Sequence, residues 1–118
     1  MFEKRKFARY KFTVPLKVWA VSPHLKKEIQ YHGETINISR GGMLFASIAV
    51  FGEKTDCHVE FPSEHGEQVS RVGSVLRTVP DAPEKKKLPP EMKVYALQFN
   101  ETMDETELES LLNQVILV

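Results

Sequence analysis

Disulfide bonds, membrane-spanning runs and net charge are all missing from this 118-residue chain, and each absence narrows what it can be. The single cysteine, Cys57, excludes an internal disulfide. No apolar stretch approaches the roughly 18 to 20 residues that a spanning helix needs, and the charged start is not followed by the apolar run of a secretion signal. A soluble, cytoplasmic protein with no membrane span is therefore expected. Sixteen Lys plus Arg balance sixteen Asp plus Glu, so the whole molecule has no field that would attract nucleic acid non-specifically. No G-x-S-x-G, H-E-x-x-H or P-loop is present, and His24, His32, His58 and His65 do not combine with Cys57 in any zinc-ligand spacing. The chain is expected to be no enzyme, with no catalytic residue, no metal and no cofactor.

What is present is unevenly placed. Residues 1 to 11 carry Lys4, Arg5, Lys6, Arg9 and Lys11 against Glu3 alone, whereas residues 101 to 109 carry Glu101, Asp104, Glu105, Glu107 and Glu109 and no base. An anionic partner should meet the N-terminal end. The length fits a single domain over 1–118, divided into a basic arm (1–11), a strand-rich body (12–100) and a helix (102–117). The arm mixes its charges with Phe2, Phe7 and Tyr10 without a period, which predicts a flexible segment that gains order from a ligand.

The body is written in period two. Phe12, Val14, Leu16 and Val18 alternate with Thr13, Pro15, Lys17 and Trp19, and Pro15 puts that strand at an edge or bulge. A second strand is expected from Glu28 to Ile36, ending in a turn at Asn37, and a third over 43–50, where the run is too uniformly apolar for periodicity to decide. Further strands are expected over 55–61, over 68–79, with Gly73 marking a bulge or a close backbone approach, and over 94–99. Residues 80–90, with four prolines and Lys85 to Lys87, predict a solvated loop without structure of its own. Trp19, out of phase with the core face, is expected to pack under a loop or the helix. Thr102 and Glu105 have the spacing of a capping box, and Leu108, Leu111, Leu112, Val115 and Ile116 make one apolar stripe after it. Six short antiparallel strands closed into a small barrel, followed by one C-terminal α-helix, make this a mainly β fold.

Two short stretches carry the chemistry. Arg5 and Arg9, four apart, supply planar, permanently charged forks that suit phosphate or the Hoogsteen edge of guanine. Asn37-Ile38-Ser39-Arg40-Gly41-Gly42 pairs short hydrogen-bonding side chains with two glycines that can take positive φ or let a ligand approach the backbone. Taken alone, the first could be a solvated basic arm and the second a turn that satisfies only itself.

With both placed around the first strand, the chain resembles the PilZ family of bacterial cyclic di-GMP receptors over nearly its whole length. Arg5 and Arg9 match that family's R-x-x-x-R, and Asn37, Ser39 and Gly42 match its [D/N]-x-S-x-x-G. Tyr95-Ala96-Leu97-Gln98-Phe99 departs from a last-strand G-x-x-F pattern that members often carry. The resemblance implies a six-stranded antiparallel barrel with a C-terminal helix. It also implies a cyclic di-GMP site formed by Arg5, Arg9, Asn37, Ser39 and Gly42 and flanked by Lys4, Arg40 and Gly41. It further implies an adaptor role, in which the arm rearranges on binding and a protein effector of motility or biofilm formation reads the new surface. The alternatives are a small barrel that binds single-stranded nucleic acid through its arm, disfavoured by the zero net charge and the acidic helix, and a PilZ-like interaction module that binds no nucleotide.

Overall fold

Alternation of apolar residues along short strands builds most of the molecule, because each strand can bury one face in a common interior. The computed structural model describes residues 7–22, 25–63 and 65–112. Its strands are β1 (Tyr10–Lys11), β2 (Pro15–Val21), β3 (Glu28–Ile38), β4 (Gly42–Ser47), β5 (Asp56–Pro62), β6 (Gln68–Thr78) and β7 (Lys93–Phe99), followed by the helix α1 (Glu105–Leu112). The sheet order is β1-β3-β2-β5-β6-β7-β4, and a further β3–β4 pairing closes it. β2 to β7 thus form a closed, wholly antiparallel barrel of six strands, with β1 a two-residue addition beside the end of β3.

The interior is filled by the inward residues of every strand, among them Leu16, Val18, Phe45, Val59, Phe61, Val75, Tyr95 and Leu97. Phe45, Phe51 and Tyr95 meet with ring centroids 5.1 to 6.0 Å apart, and the Tyr95 hydroxyl donates to the Ala49 carbonyl at 2.6 Å while accepting from the Phe51 amide at 3.1 Å. A buried phenol with both partners present costs little to desolvate and fixes the loop above it. Burial raises the Tyr95 pKa. The connection from β1 to β2 is held by Thr35, whose hydroxyl donates to the Phe12 carbonyl at 2.6 Å and accepts from the Val14 amide at 2.9 Å.

Several expectations shift in detail. The end of the arm is a strand: Tyr10 pairs with Ile38 and Lys11 with Asn37. Asn37 is not a turn residue but the last residue but one of β3. Residues 80–90 are not structureless, since Pro83–Lys87 forms a short 3-10 helix. Ala82, with Val79, Leu88 and Met92 beside it, covers a second apolar cluster, made by Ile36, Leu44, Ala46, Val94 and Ala96. That cluster lies on the outer face of the wall, so β4 is buried at all six positions. A strand covered on both sides loses its alternating pattern, which is why 43–50 showed none. Gly73 is a close approach rather than a bulge: a Cβ there would run into the Gln98 carbonyl oxygen, while the register shift in β6 falls between Val75 and Arg77. Trp19 stacks on His58 of β5, centroids 5.2 Å apart and planes 25° from parallel.

The capping box exists two residues later than the spacing suggested. Asp104 accepts from the Glu107 amide at 2.7 Å, and the Glu107 carboxylate accepts from the Asp104 amide at 3.4 Å. Leu108, Leu111 and Leu112 bury the expected stripe against the barrel core, and Glu107 also pairs with Arg71 of β6. The Val115 and Ile116 positions of the stripe lie outside the described residues. Cys57 is buried in the core, where burial and then the charge of Asp56 push its thiol up from 9.0 to about 11. A thiol held protonated in this way is no nucleophile at neutral pH.

Candidate functional site

The outer face of the β4–β7 pair carries an open cavity of about 340 Å³, at the small end of the roughly 300 to 1,000 Å³ usual for ligand pockets. Five of the sequence-predicted residues line it: Arg9, Asn37, Ser39, Gly41 and Gly42. They arrive from two elements. Arg9 comes from the arm just before β1, and the other four from the end of β3, the β3–β4 hairpin and the start of β4.

Asn37 faces the cavity because of an irregularity in β3. Thr35 pairs with Phe45, yet Asn37 pairs with the very next residue of β4, Leu44, so Ile36 is an extra residue in the ladder. Without it, Asn37 would alternate onto the core side; with it, Ile36 and Asn37 both lie outward, Ile36 in the covered outer cluster and Asn37 at the cavity. A bulge that re-aims one side chain is a common device beside binding sites.

The hairpin is closed by Ser39, whose amide donates to the Gly42 carbonyl at 2.8 Å. Its hydroxyl sits within 3.3 Å of both the Gly42 carbonyl and the Gly41 amide, long contacts that leave part of its hydrogen-bonding capacity for a ligand. Neither glycine takes the positive φ that a left-handed turn would need. Gly42 is instead demanded by space: a Cβ there would run into the Leu97 carbonyl oxygen of β7. The bare backbone lets β4 sit tightly on β7 at the bottom of the cavity.

Arg40 points elsewhere. Its Nε donates to the Met103 carbonyl at 2.8 Å, the Met103 amide donates back to the Arg40 carbonyl at 2.8 Å, and its guanidinium lies 4.8 Å from the centre of the Phe7 ring. Arg40 thus has a structural role, fastening the segment before α1 and carrying the arm's Phe7 on top. Arg5 and Lys4 lie outside the described residues.

Sequence reasoning missed the rest of the lining, notably Phe7, Leu44, Leu76, Ala96 and Gln98. Leu76 had no periodic signal, since Val69, Val72 and the Val75-Leu76 pair do not alternate along β6. A larger cavity of about 530 Å³ lies between β6 and the segment before α1, around Arg71, Asn100 and Glu107. It contains none of the motif residues, and its most basic group, Arg71, is paired with Glu107. Among the described residues no group of acidic, His or Cys side chains could hold a metal ion, and no helix is long and apolar enough to cross a membrane.

A closed six-stranded barrel with a helix packed on it, a basic segment entering beside an N-x-S-x-x-G hairpin, and a cavity where the two meet define a small barrel domain with one candidate binding face. The chain belongs to the PilZ domain family, which its sequence matches over residues 3–117. Among solved structures it is similar to the inhibitor of motility MotI/DgrA of Bacillus subtilis, at 20% identity and a TM-score of 0.63 over 95% of this chain and 49% of that one. It thus spans about half the length of that protein. It is also similar to the PilZ domain of YcgR from Escherichia coli, solved with cyclic di-GMP, at 11% identity and a TM-score of 0.60, covering 92% of this chain and 86% of that one. No curated protein matches the sequence.

Proposed function

We propose that this domain is a cytoplasmic cyclic di-GMP receptor that binds the dinucleotide on the outer face of β4 and β7. The observation that carries the reading is the convergence of Arg9, Asn37, Ser39, Gly41 and Gly42 on one cavity. Membership of the PilZ family supports it, as does the cyclic di-GMP held by the YcgR domain. Chemically, the ligand asks for cations against two phosphates and for donors at guanine O6 and N7. Arg9, with Arg5 four residues before it, supplies both; Asn37 and Ser39 supply neutral partners, and Gly42 lets the ligand approach the backbone.

The output proposed is adaptor-like and non-enzymatic. Ligand contacts rearrange the arm, and a protein effector reads the altered surface; the name of the MotI/DgrA inhibitor of motility makes motility the first output to test. Isothermal titration calorimetry with cyclic di-GMP, and with cyclic di-AMP as the control, tests the binding. Arg9→Ala should weaken it by about tenfold to a hundredfold, the value of a charge-assisted hydrogen-bonding pair, without lowering Tm. Unchanged affinity in Arg9→Ala and Arg5→Ala together would remove the site assignment. Amide exchange over residues 7–11 tests the arm, which should become more protected with ligand; equal protection would leave only a static receptor.

A further inference from the structure

The cavity has two rims, and only one of them contains the recognised motif. Across the wall the strands run β3, β4, β7, β6, and the cavity lies over the central pair. On the β3 side the extra residue Ile36 turns Asn37 outward. The β6 side also carries a bulge: Val75 pairs with Leu97 and Arg77 with Ala96, so Leu76 is its extra residue. Val75 stays in the core while Leu76 is turned out, 51% exposed, and lines the same cavity as Arg9 and Asn37.

The floor between the rims is also unusual. Leu44 and Ala96 belong to the outer apolar cluster, most of which is covered by the 79–92 segment through Val79, Ala82, Leu88 and Met92. The cover stops short of the cavity, where Leu44 and Ala96 meet Leu76 on one side and the motif on the other. The exposed Gln98 of β7, paired with Gly42, adds an amide at the same place. A flat apolar shelf with an amide at its edge and cations across from it suits a purine base: the faces lie against aliphatic carbon and the edge meets hydrogen-bonding groups.

We infer that Leu76, outward-facing at the β6 bulge, is the shelf on which one base of the bound nucleotide lies, making β6 the second rim of the site. This rests on the proposed cyclic di-GMP reading and adds to it a residue outside both motifs. The small volume of the cavity agrees with it holding one base and its phosphate, with the rest of the ligand reaching toward the arm.

Calorimetry with cyclic di-GMP on Leu76→Ser and Leu76→Met, with Ile48→Ser as an exposed aliphatic control on another loop, tests this. Leu76→Ser should weaken binding roughly fivefold, as expected for losing the burial of a half-exposed leucine, while Leu76→Met and Ile48→Ser keep the original affinity. All three should keep their Tm. In methyl-labelled protein, nuclear Overhauser contacts should connect the Leu76 methyls with a guanine H8. Unchanged affinity in Leu76→Ser, or no such contact, while Arg9→Ala still weakens binding, overturns the shelf and leaves the receptor reading standing. If the unsubstituted protein does not bind cyclic di-GMP, both fall.

Discussion

The two faces of one stretch of barrel wall behave differently. Along β4, Met43 and Phe45 point into a core shared by every strand, while Leu44 and Ala46 point out into a small cluster roofed by the 79–92 segment. The inner face is closed by topology, because a barrel leaves its interior no exit. The outer face is closed only by a connecting segment, and only partway. Apolar surface that a fold leaves partly uncovered is either a liability or a site, and here its open end coincides with the Asn37–Gly42 hairpin.

The contrast can be broken by substitutions on either side. Phe45→Ala, on the inner face against Phe51 and Tyr95, should cost about 3 to 5 kcal/mol of global stability, read as a loss of Tm and of denaturation midpoint; a loss near 1 kcal/mol would mean that the interior is not packed as a unit. Arg40→Ala, which removes a bond to Met103 and the contact with Phe7, should cost about 2 kcal/mol. Amide exchange should rise first in α1, and an effect confined to ligand affinity would return Arg40 to the binding site. Leu88→Ala, in the roof of the outer cluster, should cost only about 1 kcal/mol and should raise exchange locally over 79–92. A global loss as large as that of Phe45→Ala would erase the distinction.

The smallest effect is alkaline. Cys57 ionises near 9.0 when unfolded but near 11 in the fold, and Tyr95 is raised in the same sense. Above pH 9 the folded state therefore holds more protons than the unfolded one, so this contribution is complete below that pH and is lost as pH rises through about 11. Denaturant midpoints should fall over that interval and fall less steeply in Cys57→Val. Identical slopes would mean that the thiol is not shielded.

How legible this was in the sequence follows from the same two faces. Strands with one covered face, such as β2 and β5, keep the alternation that makes them readable, and in β7, where Val94 and Ala96 are covered too, Tyr95, Leu97 and Phe99 still point inward as their spacing implies. β4 did not, because its second face is buried by a segment whose prolines and lysines disguise a cover as a solvated loop. The capping box was misplaced by two residues because Thr102–Glu105 and Asp104–Glu107 share one spacing, and the buried Met103 sits ahead of the helix, tied to Arg40. In the candidate site, Arg9 and the hairpin were visible as a motif, but the bond of Arg40 to Met103 was not, because a charge says nothing of its direction. Leu76 went unnoticed because a bulge is a relation between two strands, and the sequence displays only one strand at a time.

Closure itself has a consequence for company. Among the described residues each of the six barrel strands is bonded along both sides, and the sheet ends only at β1, two residues long. A ribbon can be lengthened by adding a strand, but a ring cannot. Strand addition to the closed part of this wall is therefore barred, and a neighbour there meets side chains rather than a backbone edge.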